Sequence, residues 1–271
     1  MNFSVKKAKF FSSWHYSENG FEEILSQLLE NPPEMSVSAG LLNESSGKMV
    51  WRLKAANSAG QEYDFAYKIN PRKTPWRYIF KPSLAAREAH NYTMFRELGL
   101  PVANVLAVGD KRSFFLLQSS FIATSFLKGT FDGRVFMPLG EMRSETELRR
   151  KYSMRNFELL AEIHDNGIFH KAFHPRNMLW RNDNKTFEVF LIDVARCRKV
   201  NAGKMKRAVL VDIHTFARDM KTSETELDEL LKHYLSCRRN GTYPGGFDAL
   251  KRDLFGFKRR LFSKKRYVIC S

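Results

Sequence analysis

The stretch "FHKAFHPRNMLW", residues 169–180, places His170 seven residues before Asn177 and runs directly into an apolar segment. A second apolar run, "VFLI", follows within the length of a hairpin and ends at Asp193. Two apolar runs separated by the polar residues "NDNKT" predict a β-hairpin. Asn177 and Asp193 are therefore expected at the two ends of one short hairpin.

The chemistry of these two side chains suits a magnesium site. Mg²⁺ prefers hard oxygen ligands, and it keeps waters and phosphates in its remaining positions. Phosphoryl transfer from ATP needs such metal ligands, together with a Lys for the phosphates, a loop that covers them and a group that orients the acceptor hydroxyl. Asn177 and Asp193 are the candidate metal ligands, and a turn-forming Asp after a strand is the alternative for Asp193.

Candidates for the other parts of such a site occur earlier in the chain. Lys68 lies near the end of the predicted strand "YDFAYKI", and Glu88 lies twenty residues later in a predicted helix. A buried Lys requires a paired carboxylate, so these two are expected to form an ion pair, whereas an exposed strand Lys is the alternative. Residues 42–53 fit a phosphate-covering hairpin only loosely, with Ser46 and Gly47 as candidate N–H donors, and an ordinary hairpin turn is the alternative.

The first half of the chain reads as a small mixed sheet with one helix packed on it. Strands are predicted at 36–42, 48–56, 63–70, 105–110 and 113–123. The helix is expected to begin after the N-cap Ser83 and to stop at Gly99. A shorter amphipathic helix with Phe21 and Leu25 on its apolar face precedes the sheet.

The second half is predicted to be mainly helical from about residue 145. Ser144 and Glu147 have the spacing of a capping box, and Phe157, Leu160 and His164 lie on one helical stripe. The fold class is therefore α+β, with a small β-rich lobe that carries one main helix and a larger helical lobe. The expected divisions are a basic, amphipathic segment (1–35), a nucleotide-binding lobe (36–128) and a helical lobe with the catalytic-type loop and a basic C-terminal helix (129–271).

Composition restricts the setting and the partners. The net charge of +16 indicates an anionic partner, namely nucleic acid, phosphate-bearing lipid or an acidic membrane face, and a solvated basic surface without a specific partner is the alternative. The sequence predicts neither a secretory signal nor a membrane-spanning helix. Three widely spaced cysteines, Cys197, Cys237 and Cys270, are typical of reduced thiols in a cytoplasmic protein.

Lys68, Glu88, "GIFHKAFHPRNMLW" and "LIDVAR", taken together, resemble the Kdo/WaaP/InaA group of lipopolysaccharide core kinases of Gram-negative bacteria. The resemblance runs from about residue 40 to about residue 225, and "HPRN" before an apolar strand and "LID" is its most specific part. It implies a bilobal protein-kinase-like fold. It also implies that the protein uses ATP and Mg²⁺ to phosphorylate a heptose or Kdo sugar at the cytoplasmic side of the inner membrane.

The resemblance also implies roles for individual residues. Lys68 would bind the α- and β-phosphates with Glu88 orienting it, and Asn177 and Asp193 would bind the metal. The segment "IATSFLKG" would be the adenine-binding hinge, with Thr124 and Phe126 as its contact residues.

The pattern departs from this group at Ala172, which stands where a catalytic Asp is expected. A methyl group accepts no proton. General-base assistance is worth about 10²–10⁴ in rate, whereas phosphoryl transfer depends mainly on positioning and charge neutralisation, so slow transfer without the Asp is feasible. His174 is the nearest titratable substitute, with a packing role as its alternative. His170 is expected to support the loop by hydrogen bonding.

Two further features concern the acceptor and the membrane. Only 18 residues separate Asp193 from Asp212, which is too short for a peptide-docking activation segment and favours a sugar acceptor over a protein. In the tail, Leu250, Leu254, Phe257 and Leu261 form an apolar stripe, and Lys251, Arg252, Lys258, Arg259 and Lys265 lie mostly off it. Such a helix suits an anionic membrane surface, or it packs on the helical lobe, or both.

The leading prediction is an ATP-dependent lipopolysaccharide core kinase that is peripheral to the inner membrane and acts on a core glycolipid. A pseudokinase that binds nucleotide or a partner without transfer is the second, because of Ala172. A nucleic-acid-binding protein is the third, and only the charge supports it, since no zinc-finger spacing or RNA-recognition motif is present. The sequence does not determine the oligomeric state.

Overall fold

The computed structural model describes residues 13–30, 40–45, 48–71, 75–183, 186–239 and 243–266. The chain divides into two units, Met1–Lys128 and Gly129–Ser271. Residues 14–30 belong to the first unit together with the predicted sheet. No helix in the described ranges is long and apolar enough to cross a membrane.

The first unit is built on a six-stranded sheet with the order β1-β5-β6-β4-β3-β2. Every neighbouring pair in it is antiparallel, so the expectation of a mixed sheet is wrong. The strands are β1 (Trp14–Ser17), β2 (Leu41–Ser45), β3 (Lys48–Ala56), β4 (Glu62–Pro71), β5 (Val105–Ser113) and β6 (Leu116–Ser125). Strand β4, which carries Lys68, is interior to the sheet.

Helices cover both faces of this sheet because side chains alternate along a strand. Helix α1 (Glu22–Glu30) lies in a core with Phe21, Trp51, Phe65 and Tyr67 on one face. Helix α2 (Leu84–Glu97) contacts β5 and β6. The Ser83 side chain accepts a hydrogen bond from the Ala86 N–H, so the predicted N-cap is confirmed.

Three local features of the first unit differ from the sequence prediction. Strand β1 was not predicted, because its four residues are too few to show an alternating pattern. Strand β2 continues through Asn43–Ser45, which the polar composition assigned to a loop. Phe114 and Phe115 form the turn between β5 and β6 rather than part of a strand. Ser46 and Gly47, the predicted phosphate-covering residues, lie outside the described residues.

In its described ranges, the second unit contains four α-helices and two small sheets. The helices are α3 (Thr146–Asp165), α4 (Ala202–Met220), α5 (Glu224–Cys237) and α6 (Gly246–Arg266). One sheet has the order β10-β9-β7 and the other pairs β11 with β8. Their strands are β7 (Phe131–Asp132), β8 (Ile168–Phe169), β9 (Met178–Asn182), β10 (Phe187–Leu191) and β11 (Arg198–Lys199). The predicted hairpin of β9 and β10 is confirmed, with Met178 opposite Leu191.

The predicted capping box at Ser144 and Glu147 is wrong. Glu145 occupies the N-cap position of α3, and no side chain caps the helix there. The Ser144 carbonyl instead accepts hydrogen bonds from the N–H and the hydroxyl of Thr146, which places the helix start one residue later. A complete capping box occurs at α5, between Ser223 and Glu226.

The C-terminal helix α6 packs its apolar stripe on the second unit. Leu250 and Leu254 are buried, and the Phe257 ring lies 5.9 Å from the His214 ring. Lys251 pairs with Glu224 and Asp228 of α5, so this predicted membrane-facing cation is engaged within the protein. Arg252, another predicted tail cation, is exposed, and the side chains of Lys258, Arg259, Leu261 and Lys265 lie outside the described residues.

Candidate active site

The first unit contains the predicted ion pair between strand and helix. The Lys68 Nζ lies 3.0 Å from Oε1 and 2.9 Å from Oε2 of Glu88. The Lys68 side chain is 15% exposed and the Glu88 side chain 4%. The ion pair with Glu88 fixes the position of the Lys68 ammonium group on an interior strand, and this group remains partly accessible to solvent.

The sequence produces this geometry through the two-residue period of β4. Phe65 and Tyr67 point to the core with α1, so Lys68 points to the opposite face of the sheet. Glu88 lies in the second turn of α2, on its buried side. A buried carboxylate is tolerated because the ammonium group pairs with it.

The predicted hinge residues lie at the end of the same sheet. Thr124 is in β6 between Ala66 of β4 and Val105 of β5. Phe126 follows the strand, its N–H donates to the Asp64 carbonyl at 2.9 Å, and its ring lies 3.9 Å below the Arg52 guanidinium. The Phe126 N–H is thus already engaged within the sheet.

In the second unit, Asp212 of α4 organises the loop that begins at His170. Its Oδ2 accepts a hydrogen bond from the His170 N–H at 2.9 Å, and its Oδ1 accepts one from the Lys171 N–H at 2.8 Å. Lys171 has a φ of 65°, a conformation that few residues other than glycine adopt. The fully buried carboxylate therefore fixes a strained backbone segment next to Ala172.

A chain of buried polar groups extends from Asp212. The His164 Nε2 lies 3.3 Å from Asp212 Oδ2, and its Nδ1 lies 2.8 Å from the Tyr234 hydroxyl. Arg238 donates a hydrogen bond to that hydroxyl at 2.7 Å. Burial lowers the pKa of His164 and raises the pKa of Tyr234, so both are neutral at physiological pH. The network holds helices α3, α4 and α5 around the loop.

The expectation that the His170 side chain supports the loop by hydrogen bonding is wrong. Its ring is fully buried, and neither ring nitrogen has a hydrogen-bond partner in the described part of the chain. The ring packs edge-on against Phe173, with centroids 5.3 Å apart. The backbone N–H of His170 makes the supporting hydrogen bond, and Asp212 supplies the acceptor. Burial lowers the pKa of His170 to about 4.

This depressed pKa predicts an acid-sensitive stability. Between about pH 6.5 and pH 4 the unfolded chain binds a proton at residue 170 and the folded chain does not, so stability falls as the pH falls. The loss from His170 is expected to be about 2 kcal/mol between pH 7 and pH 5, and His164 acts in the same direction. His170→Phe keeps a buried ring and removes the titration, so urea unfolding should show a smaller change in stability over that range. Exposed His90→Phe is the control, and equal pH dependence in wild type and His170→Phe would contradict the assignment.

Asn177 and Asp193 lie at the two ends of the β9–β10 hairpin, as predicted. The Asn177 carbonyl accepts a hydrogen bond from the Ile192 N–H at 2.9 Å. Asp193 is the next residue after Ile192, so this hydrogen bond holds Asp193 near Asn177. The Asn177 Nδ2 donates to the Ala172 carbonyl at 2.9 Å, so its amide is fixed with Oδ1 as the remaining acceptor atom. Asp193 has a left-handed backbone, with φ 54° and ψ 48°.

The His174 side chain contacts Asp219, a second acidic residue of α4. Its Nδ1 lies 2.6 Å from Asp219 Oδ2, and the side chain remains 17% exposed. Burial alone would raise the pKa of the Asp219 carboxyl, but hydrogen bonds from His174 and Arg218 outweigh it and the pKa lies below its ordinary value. A carboxylate on Nδ1 holds the proton there, which leaves the Nε2 lone pair for a base.

Ala172 is buried in the same loop, where its carbonyl accepts hydrogen bonds from both the His174 N–H and Asn177 Nδ2. The backbone at this position therefore shapes the loop, whereas the side chain contributes only a methyl group.

The sequence prediction missed Asp212 and Asp219 as functional residues. They lie seven residues apart on α4, with Phe216 between them on the same buried face. An acid on an apolar stripe must be paired, and this signal was available for Asp212 in "VLVDIHTFARDM". Asp219 follows an exposed Arg and has no comparable local signal.

Comparison with known proteins identifies the fold and the family of this chain. A solved structure described as "WaaP in complex with acyl carrier protein" is similar over 93% of this chain and 98% of that chain, with a TM-score of 0.57 and 19% identity. The chain thus has a protein-kinase-like fold. A family model described as "Lipopolysaccharide kinase (Kdo/WaaP) family" matches residues 66–234. The chain belongs to this family. A comparison with curated proteins found no match.

Proposed function

We propose that this protein transfers the γ-phosphoryl group of ATP to a hydroxyl of a heptose or Kdo sugar in the lipopolysaccharide inner core, at the cytoplasmic face of the inner membrane. The observation that carries the proposal is the fixed pair of Asn177 and Asp193 at the ends of one hairpin, on a loop that Asp212 holds through two backbone hydrogen bonds. Membership of the lipopolysaccharide kinase family supports the choice of acceptor.

The donor set fits Mg²⁺. Asn177 offers an amide oxygen whose orientation is fixed by the hydrogen bond from Nδ2 to Ala172, and Asp193 offers a carboxylate. These two residues would hold the ion, which when bound supplies positive charge to the phosphates. Lys68, aimed by Glu88, would bind the α- and β-phosphates in the first unit. Thr124 and Phe126 are proposed to line the adenine site, and Ser46 and Gly47 to cover the phosphates.

The segment after Asp193 favours a small acceptor. A short turn (Val194–Arg196) and β11 lead directly to α4, which begins at Ala202. These few residues leave no room for an extended segment on which a peptide substrate could dock. Lys171, Arg176 and Arg196 are exposed around the loop and would attract an anionic glycolipid.

Acceptor activation is the step for which the chain lacks the usual side chain. We propose that His174 takes the proton from the acceptor hydroxyl through Nε2, and that Asp219 is its positioning residue. The 2.6 Å contact between them supports this assignment.

A second candidate function is a nucleotide-binding pseudokinase, which the buried methyl group of Ala172 favours. One pair of measurements separates the two functions. Both predict that Mg²⁺ with ATP raises the Tm, by about 2–4 °C for each kcal/mol of binding linkage. Only the kinase adds the mass of one phosphate to a core glycolipid.

Lys68→Met is expected to lose most of the ATP-dependent rise in Tm, because the ammonium group that would pair with the phosphates is gone. Lys54→Met, an exposed position of β3, is the matched control and should keep the rise. Lys68→Met leaves the buried Glu88 carboxylate without its cation. The double variant Lys68→Met with Glu88→Gln removes that charge as well, and so shows whether a lower Tm of the single variant reflects folding rather than nucleotide binding. A wild-type Tm that does not respond to millimolar ATP with Mg²⁺ would contradict both functions.

A further inference from the structure

The first unit carries a cluster of exposed aromatic side chains that the proposed chemistry does not use. Trp76 is 73% exposed, Phe80 is 80% exposed, and Phe114 and Phe115 are 86% and 55% exposed. Single exposed apolar residues are ordinary, but four large aromatic residues in two neighbouring segments form a patch. We refer to Trp76, Phe80, Phe114 and Phe115 as the aromatic patch.

A buried arginine holds the two segments of the aromatic patch side by side. The Arg112 guanidinium donates to the Tyr78 carbonyl at 3.1 Å and to the Phe115 carbonyl at 3.3 Å. It also pairs with Asp110 at 2.9 Å, and both side chains are almost completely buried. The turn after β5 and the segment around Trp76 are thereby fixed to one anchor.

The turn itself uses residues that turns rarely have. Phe114 and Phe115 are the connecting residues between β5 and β6, where glycine, asparagine and aspartate are usual. Phe114 has a φ of 54°, which is unfavourable for an aromatic residue. A sequence selected only for a stable hairpin would not place an exposed Phe in this conformation.

The two segments of the aromatic patch carry exposed charge of one sign. Residues 71–87 and 111–125 contain no Asp or Glu. Lys81, Arg87 and Lys111 are exposed, whereas Asp110 and Glu88 at the margins are buried and paired. Exposed Trp and Phe next to Lys and Arg match the apolar and anionic layers of a membrane interface.

We infer that the aromatic patch is a membrane-docking surface that inserts its rings between the headgroups of a bilayer containing anionic lipid. A hairpin tip is convex, so it suits insertion into a lipid interface better than it suits a grooved protein partner. The inference places a membrane contact on the first unit, whereas Lys251 of α6 is paired with acidic residues of α5. It extends the proposed peripheral location and does not depend on phosphoryl transfer.

The test is sedimentation of the full chain with vesicles of phosphatidylglycerol and phosphatidylethanolamine, without nucleotide. Phe114→Ser with Phe115→Ser should lower the partition coefficient at least about tenfold, because two rings no longer enter the bilayer. Lys81→Glu with Lys111→Glu should lower it by roughly tenfold on anionic vesicles, and less at high salt. Leu139→Ser is the control, an exposed apolar position of the second unit, and should bind like wild type.

Two additional measurements keep the outcome unambiguous. Trp76 fluorescence should shift to shorter wavelength on vesicle binding, and Trp76→Phe should abolish the shift. An unchanged Tm shows that the double Phe variant is folded. Equal vesicle binding by wild type and this variant would overturn the inference.

Discussion

Asp193→Asn is expected to reduce phosphoryl transfer to core glycolipid by about 10²–10³ while leaving the fold intact. The residue has φ 54° and ψ 48°, and asparagine is among the few residues that tolerate this left-handed conformation. The substitution therefore exchanges a carboxylate for an amide of the same shape at the proposed metal position. The measurement is the transfer of labelled phosphate from ATP, together with the Tm of each variant.

Two controls make this result specific to Asp193. Asp248→Asn removes an exposed carboxylate from the first turn of α6 and should leave the rate unchanged. Asp193→Ala is the less useful variant, because alanine would add backbone strain at a left-handed position. Transfer by Asp193→Asn at the wild-type rate would show that the metal site has been assigned to the wrong residues.

The sequence predicted those parts of the site that depend on local spacing. The hairpin after "HPRN" follows from two apolar runs and a polar connection, and it places Asn177 and Asp193 where the structure has them. The pair of Lys68 and Glu88 follows from a strand residue, a helix residue and the rule that a buried ammonium group needs a carboxylate. In both cases the two residues lie within about twenty positions of each other in the sequence.

The parts that the sequence did not predict depend on contacts between distant segments. The support of the loop at His170 comes from Asp212, whose position beside the loop is set by the packing of α4 and not by local pattern. His170 was expected to support the loop by hydrogen bonding, but its ring is buried against Phe173 and its ring nitrogens have no hydrogen-bond partner in the described residues. Likewise, Phe114 and Phe115 read as strand residues by composition, and the turn appears only when β5 is paired with β6.

His174→Ala is expected to lower the maximal rate of transfer by about 10²–10⁴, which is the range for loss of a general base. The structural reason is the 2.6 Å contact between His174 Nδ1 and Asp219, which leaves Nε2 as the basic atom of the ring. A base acts on the acceptor hydroxyl, so the loss should appear in the rate at saturating substrate rather than in the KM for ATP. The measurement is the rate with saturating ATP and glycolipid.

Asp219→Asn tests whether the carboxylate positions this ring. The amide keeps a hydrogen-bonding group at the same place but no longer favours the proton on Nδ1, so the maximal rate should fall with little change in the KM for ATP. Arg218→Gln removes the other partner of Asp219 and is the matched control. A further variant, His174→Ala with Ala172→Asp, should recover activity if position 172 faces the acceptor. Wild-type maximal rates in both His174→Ala and Asp219→Asn would show that His174 only packs the loop, and that transfer proceeds by positioning and charge neutralisation alone.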